Sequence, residues 1–518
     1  MSRISSRTPI ATLLAGTAAL AIAVSGCGHG AAGGPTGSPA RAIPASAIVY
    51  AQVDLDTTSP AWTAFQKVSQ KFPGWQQVVA KVHRELVRPD HGVSFSKDVQ
   101  PALGDSAAIA VTGIDSATGK PAWVGYVALS DEGKIESALT SDQGKAAGSY
   151  HGYKQFRSTD SSGEWAAVGN DGLLVASDES TLHTAVDTRE GDDPSLASDP
   201  TFQQAMAALP ADSLLKAFAD PGKIGRLLSL GNFGQSLGIG GTAGGAATSS
   251  LQQLSKALSG IRSASFALWA TEGGYRATAQ IATAPGSSGS IANAFATTST
   301  LQRYVPAGSL FMVNGGGSTG GYQQMFEQPG TAAQLDEIQK LTGISVAHDI
   351  LPLLTGELAA YAAPGQPGEP PTVGLLLKPK SATAGQAALH DLFTHIVRLE
   401  HGQAHLLTYP HGLGQSMVIA GSPFSIGWKH WNGIFTVGNS PTLPGTDDPL
   451  AGSPAWNALL AAAGAPAEAH VSLYVQLGQA LKLFPIQENE NLTHLGGILA
   501  WSTVAGNQIS ANLFVQVK

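Results

Sequence analysis

The sequence predicts an α+β protein of two homologous halves, each an antiparallel sheet with helices packed on one face. Three observations carry this. Short β-prone runs are separated by Gly, Asp and Asn turns, without the strand–helix alternation of a parallel sheet. Stretches with helical spacing of apolar residues lie between them. A series of motifs also recurs, in the same order, later in the chain.

In the first half, Ile48 to Leu55 is rich in strand formers. Trp62, Phe65, Val68 and Phe72 follow at helical spacing, as do Trp75, Val78, Val79, Val82 and Leu86 after Pro73-Gly74, which predicts a strand and then a broken helix. Ala107 to Ile114, Ala122 to Leu129, Glu164 to Val168 and Leu173 to Ser177 read as further strands. Helices fit at Asp131 to Leu139, Glu179 to Thr188 and Thr201 to Ala208. The last opens with Asp199 as N-cap and Pro200 in its first turn, a signal that Asp220-Pro221 repeats. Near the C-terminus Ile509, Ala511, Leu513, Val515 and Val517 alternate with Ser510, Asn512 and Gln516, so one sheet face is expected to be buried and the other wetter.

The recurrence begins with Ile43-Pro44-Ala45, matched by Val305-Pro306-Ala307. Gly92, Asp98, Pro101 and Gly104 are echoed by Gly343, Asp349, Pro352 and Gly356, the second copy one residue longer. Asn170-Asp171-Gly172 corresponds to Trp431-Asn432-Gly433, both hairpin signals because Asp-Gly and Asn-Gly tolerate the positive φ of a tight turn. Asp193-Pro194 matches Asp448-Pro449, and Gly260-Ile261 and Gly497-Ile498 open the two terminal hairpins. These matches predict a first α+β repeat at 43–285, a linker at 286–302 and a second repeat at 303–518. Gly315-Gly316-Gly317 is expected to form a turn or bulge, and residues 231–250 a Gly-rich insertion in the first repeat.

The N-terminus carries the clearest address. Arg3 and Arg7 precede an apolar run from Ile10 to Val24, and Ser25-Gly26-Cys27 follows, with Cys27 the only cysteine. Val24-Ser25-Gly26-Cys27 resembles the lipobox of bacterial lipoproteins. That resemblance implies a signal peptide at 1–26 and a diacylglyceryl group on Cys27, the expected lipidation site. The run is shorter than the roughly 20 residues a spanning helix needs. Residues 27–42 are rich in Gly, Ala, Pro and Ser and are expected to be a lipidated flexible tether. The expected location is the outer face of the cell membrane, since two acyl chains anchor stably where one is marginal.

Composition narrows the function classes. Of 518 residues, 43% are hydrophobic, enough for real cores, and one cysteine leaves no thiol for a disulfide or a zinc thiolate in the folded part. A net charge of −8 with 29 Lys+Arg and no dense basic run gives no footprint for nucleic acid.

No motif reaches a named chemistry. Gly234-Gln235-Ser236-Leu237-Gly238 matches the G-x-S-x-G elbow but lies in the Gly-rich insertion, with no strand leading into it. Gly104-Asp105-Ser106 resembles a GDS esterase block, yet it recurs as Gly356-Glu357-Leu358 without the serine, which marks it as a structural turn. Asp54 and Asp56 end the first strand, and Gly316 and Ser318 stand where their second copies would. His390, His395, His401, His405 and His411 cluster with Asp391 and Glu400, and His401 and His405 have i, i+4 spacing, but Gly402 disfavours a helix there and no H-E-x-x-H occurs. The stretch is read as a solvated helix end and loop. No catalytic, cofactor-binding or metal-binding residue is assigned and no cofactor is implied.

Ile43-Pro44-Ala45 through Asp54, Gly92 through Gly104 and Ser195-Leu196 through Phe202 resemble an exported, largely actinobacterial family catalogued as domain of unknown function 3352. The resemblance brings no catalytic residues. The expected function is non-catalytic binding of a lipid-like or small ligand, in a cleft between the halves or between sheet and helices, by a membrane-anchored extracytoplasmic lipoprotein. The alternatives are an interaction scaffold for envelope proteins with no ligand pocket, or a hydrolase.

Overall fold

A computed structural model describes residues 38–87, 99–114, 120–141, 144–159, 163–169, 172–229, 258–285, 299–316, 329–365, 369–400, 402–422, 425–439, 449–467, 469–481 and 490–518. Cys27 and the Gly-rich insertion at 231–250, with Gly234 to Gly238, lie outside the described residues. The chain divides into two compact units, residues 1–287 and 288–518.

In the first unit β1 (Val49–Asp54) leads to α1 (Pro60–Ser69) and α2 (Trp75–Val87), then β2 (Leu103–Ile114), β3 (Pro121–Leu129) and α3 (Glu132–Ser141). Four short strands follow: β4 (Gly144–Tyr150), β5 (Tyr153–Ser158), β6 (Trp165–Gly169) and β7 (Gly172–Ala176). Helices α4 (Glu179–Glu190) and α5 (Pro200–Ala207) precede β8 (Leu215–Ala219), α6 (Pro221–Ser229) and the hairpin of β9 (Ile261–Thr271) and β10 (Gly274–Thr283). Every pairing is antiparallel, in the order β4-β5-β6-β7-β3-β2-β1-β8-β9-β10.

The second unit holds β11 (Phe311–Gly316), α7 (Pro329–Thr342), β12 (Glu357–Ala363), β13 (Thr372–Lys378) and α8 (Ala382–Leu399). Next come β14 (Ala404–Thr408), β15 (Gly414–Ile419), β16 (Ser425–Trp431) and β17 (Ile434–Gly438). Helix α9 (Pro454–Ala463) then leads to β18 (His470–Val475), β19 (Leu495–Ala505) and β20 (Gln508–Val517). Its antiparallel order is β14-β15-β16-β17-β13-β12-β11-β18-β19-β20. Strand for strand, this is the order of the first unit.

Local chemistry explains the element ends. Asp199 Oδ1 accepts the amides of Thr201 and Phe202 to start α5, and Ser453 Oγ accepts that of Trp456 to start α9, each followed by a proline in the first turn. Asn432 and Gly433, at φ 49° and 77°, make the two-residue turn that pairs Trp431 with Ile434.

Several expectations are corrected. Helices pack on both faces of the first sheet. Tyr50, Ala108, Tyr126 and Leu174 face a core with Leu182 and Ala185 of α4 and Phe202 of α5. Their neighbours Ala107, Val127, Leu173 and Val175 point the other way, into a core with Ile135 and Leu139 of α3. Central strands such as β7, buried at all five positions, read as continuous apolar runs because both faces are covered. In β20 Ile509 and Val517 are buried as the alternation predicts, but Leu513 on their side is exposed and Phe514, on the side of Asn512, is fully buried.

Gly315 and Gly316 are strand residues paired with Leu358 and Glu357, not a turn. Gly104-Asp105-Ser106 lies within β2, with Ser106 opposite Asp54. Gly104 is required by close approach, since a Cβ there would meet Ala128 Cβ at 2.7 Å, and a Cβ on Gly356 would meet the Lys378 carbonyl oxygen at 1.9 Å. Pro39–Ala42, assigned by composition to the tether, forms a 3-10 turn with Ala40 and Ala42 in the core, because small side chains fit against the sheet. Leu301–Tyr304, read as linker and domain start, makes the same turn before Val305 and buries Leu301.

Candidate functional site

Directly paired residues of antiparallel strands share a face, so the register fixes what each sheet presents. In the first unit Val49 pairs with Val111 and Ala219, and Ala51 with Ile109 and Ala217. Ala217 and Ala219 pair in turn with Phe266 and Ala264, and these with Ala279 and Ile281. All are apolar, and none is fully buried. Val49 is 40% and Ile109 45% exposed, where the alternating residues Tyr50 and Ala110 are sealed in the core. Leu139 of α3 packs with Phe156, Val168 and Leu173 and covers the β5–β7 end of this face, and α1 closes part of its β10 end, the Phe65 ring 5.6 Å from that of Tyr275. The stretch around Val49, Ile109 and Ile281 is left half-open.

The second unit repeats the arrangement. Phe311 pairs with Ala362 and Val475, and Val313 with Ala360 and Leu473. Ala362 pairs onward with Val373, and Ala500 with Leu513. Val313, Val373 and Leu513 are 39%, 55% and 39% exposed, while Met312, Tyr361 and Phe514 of the same strands are buried on the opposite side. Leu389 and Phe393 of α8 cover only the part of this face nearest β14 to β17. Each unit thus leaves one apolar sheet face half-exposed, and a contiguous apolar surface of this kind marks sites of interaction.

The polar residues singled out in the sequence are dispersed. Asp54 organises a loop: its carboxylate accepts Ser59 Oγ at 2.5 Å and the Asp56 amide at 2.9 Å, and its carbonyl accepts Trp62 Nε1 at 2.8 Å. Burial is the largest influence on that carboxyl and holds it above the ordinary aspartate range, with Asp56 and Asp105 adding to the rise and the Ser59 and Asp56 hydrogen bonds opposing it. Ser106 Oγ donates to Asp105 from within a strand. Helix α8 ends at Leu399 and His405 stands on β14, so the spacing of His401 and His405 places them on no common helix face; His401 itself is outside the described residues. His411 sits in a tight turn at φ 60°, and His390 pairs with Gln415 Oε1 at 3.2 Å.

His395 and Asp391 behave differently. One turn apart on α8, they face the helical turn Val346–Ile350, whose Asp349 is almost fully buried. Asp349 Oδ2 accepts the Ser345 amide at 2.7 Å, and Oδ1 lies 3.0 Å from His348 Nδ1. His395 Nδ1 lies 3.6 Å from Oδ2. Ligand atoms of His348, Asp349 and Asp391 all fall within 4.8 Å of one another. Sequence reading found His395 and Asp391 but not His348, whose distance along the chain hid it; the signal was Asp349, already marked by its match to Asp98. A looser group, His151, Asp187 and Asp192, lies at the β4–β5 turn with separations of 3.8 and 3.9 Å.

Among the described residues no helix is long and apolar enough to cross a membrane. The profile of a family described as "Protein of unknown function (DUF3352)" matches residues 8–396. No curated protein matches the chain significantly. Among solved structures, crystal form III of TP0453 is similar at 9% identity and a TM-score of 0.27, over 48% of this chain and 81% of that one. Crystal form IV of TP0453 is similar at 11% identity and a TM-score of 0.26, over 47% and 80%. A likeness this loose defines neither fold nor function.

Proposed function

From the premise that this chain belongs to the family described as Protein of unknown function (DUF3352), we propose that it is a lipid-anchored extracytoplasmic protein that binds a lipid or similar amphiphile without chemically altering it. The observation that carries the ligand reading is the half-exposed apolar sheet face of each unit, centred on Val49 and Ile109 in the first and on Val313 and Val373 in the second. An acyl chain laid along such a face contributes about 0.8 kcal/mol per methylene removed from water. The anchor rests on Val24-Ser25-Gly26-Cys27, with Cys27 as the acylated residue.

The two units are homologous copies in this reading. Its support is their common strand order and the recurrence of Ile43-Pro44 as Val305-Pro306, each bridged to the recurring segment at Ser195 or Pro449. Duplication then doubles one ligand-binding design.

The test is native mass spectrometry of the full chain from a lipoprotein-processing bacterial host, with solvent extraction of what co-purifies. A stoichiometric lipid supports the ligand reading; a clean apo mass overturns it and leaves an envelope scaffold. Separately, Cys27→Ser is expected to move the protein out of the membrane fraction, and unchanged membrane association would overturn the anchor.

A further inference from the structure

We infer that His348, Asp349 and Asp391, with His395 against the same buried carboxylate, form a binding site for a divalent transition-metal ion of the zinc type on the second unit. The site goes beyond the lipid-binding reading and stands independently of it. Two elements build it. The turn Val346–Ile350, held by Ser345 Oγ accepting the His348 amide at 3.3 Å, presents His348 and Asp349 as neighbours. Helix α8 presents Asp391 and His395 one turn apart, hence on one helix face.

The geometry asks for a cation. Asp349 is a carboxylate with 3% of its side chain exposed, and its two oxygens face two imidazole Nδ1 atoms. Lone pairs on nitrogen and oxygen repel unless something positive lies between them. A proton serves for His348 at 3.0 Å. It does not serve for His395, whose Nδ1 is buried, stands 3.6 Å from the carboxylate and has no hydrogen-bond partner. Metal bonds of about 2.1 Å to nitrogen and oxygen in a tetrahedron place the ligand atoms roughly 3.4 Å apart, a value between the observed separations of 3.0 and 3.6 Å. Asp391, within 4.8 Å of both His348 and Asp349, supplies a further oxygen. Mixed imidazole and carboxylate donors suit zinc, cobalt or nickel better than calcium or magnesium. His348 is largely exposed, so the ion would lie at the surface with water in reach.

The test is equilibrium titration of the purified full chain with zinc, and with cobalt followed by its visible absorption. One ion per chain is expected, with the intense visible bands of a four-coordinate cobalt site. Loss of an outer-shell contact alone weakens metal binding by about 10- to 100-fold, so removing a ligand is expected to cost at least that. Asp391→Asn and His348→Gln test this without touching the buried carboxylate, and circular dichroism checks that each still folds. His390→Gln, His405→Gln and His151→Gln are expected to bind as the parent does. The inference is overturned by the absence of saturable uptake, by uptake that survives both Asp391→Asn and His348→Gln, or by uptake lost in His151→Gln instead.

Discussion

The backbone amide of Leu196 donates to the carbonyl of Ile43 at 2.7 Å, and the pairing of Leu450 with Val305 repeats it at 2.6 Å. Two motifs that recur separately in the sequence are therefore each other's partners in space: the Ile-Pro or Val-Pro entry to the first strand, and the segment before the proline-started helix. All four side chains are fully buried. Leu196→Ala and Leu450→Ala are each expected to destabilise their own unit by about 2–5 kcal/mol, because each empties a closed core position. Denaturant unfolding followed by circular dichroism checks this, and an unchanged midpoint in either variant would show that the bridge is peripheral.

Tyr361 lies across the strand pair over Gly374, so that a Cβ there would meet its Cζ at 2.3 Å. Gly374→Ala forces the fully buried ring off its position and is expected to cost about 1–3 kcal/mol. Tyr361→Leu combined with Gly374→Ala should recover part of that loss. Additive losses in the double variant would mean that the ring and the glycine do not share the space.

Much of this fold was legible where the governing chemistry is local. Asp199-Pro200 and Asp220-Pro221 announced helices because capping and proline act within one turn, and Asn432-Gly433 announced its hairpin because positive φ selects those residues. The hairpin of β4 and β5 escaped because Gly144-Lys-Ala-Ala-Gly-Ser-Tyr150 has little apolar alternation to read, and its turn uses His151 at φ 47°. Strand β8 escaped because Leu215-Lys-Ala-Phe-Ala219 is short. Which face a helix covers is a tertiary property: alternation marks Val127 and Tyr126 as opposite without saying that both are packed. The meeting of His348 with His395 was invisible for the same reason, since nothing local couples a turn before β12 to the middle of α8.

Glu357, at the start of β12, accepts hydrogen bonds from Lys378 Nζ at 2.5 Å, from Thr300 Oγ1 at 2.9 Å and from the Thr300 amide. Burial is the largest single influence on its carboxyl and pushes it up. The Lys378 and Thr300 donors together outweigh burial and hold it below the ordinary glutamate range. A carboxyl depressed in the folded state contributes stability above its unfolded value, and that contribution is lost as pH falls through the folded value. Glu357→Gln is therefore expected to be less stable than the parent by a constant amount above about pH 5, with the gap closing as the medium is acidified through the carboxylate range. Urea midpoints across that range decide it. A gap that widens on acidification would contradict the assignment.

Ile109 on β2 and Val313 on β11 lie on the apolar faces of their units, and both are exposed enough to carry a charge at little cost to folding. Ile109→Asp and Val313→Asp are expected to stay within about 1 kcal/mol of the parent in stability, as for surface substitutions away from packed cores. Against a bound acyl chain the same carboxylate would lose its water without gaining a partner, a far larger penalty. Each variant is therefore expected to bind a fluorescent fatty-acid probe at least tenfold more weakly at its own unit, and the double variant to bind none. The stability readout separates this from unfolding. Variants that fold normally and bind the probe as the parent does would remove the sheet faces as the ligand site.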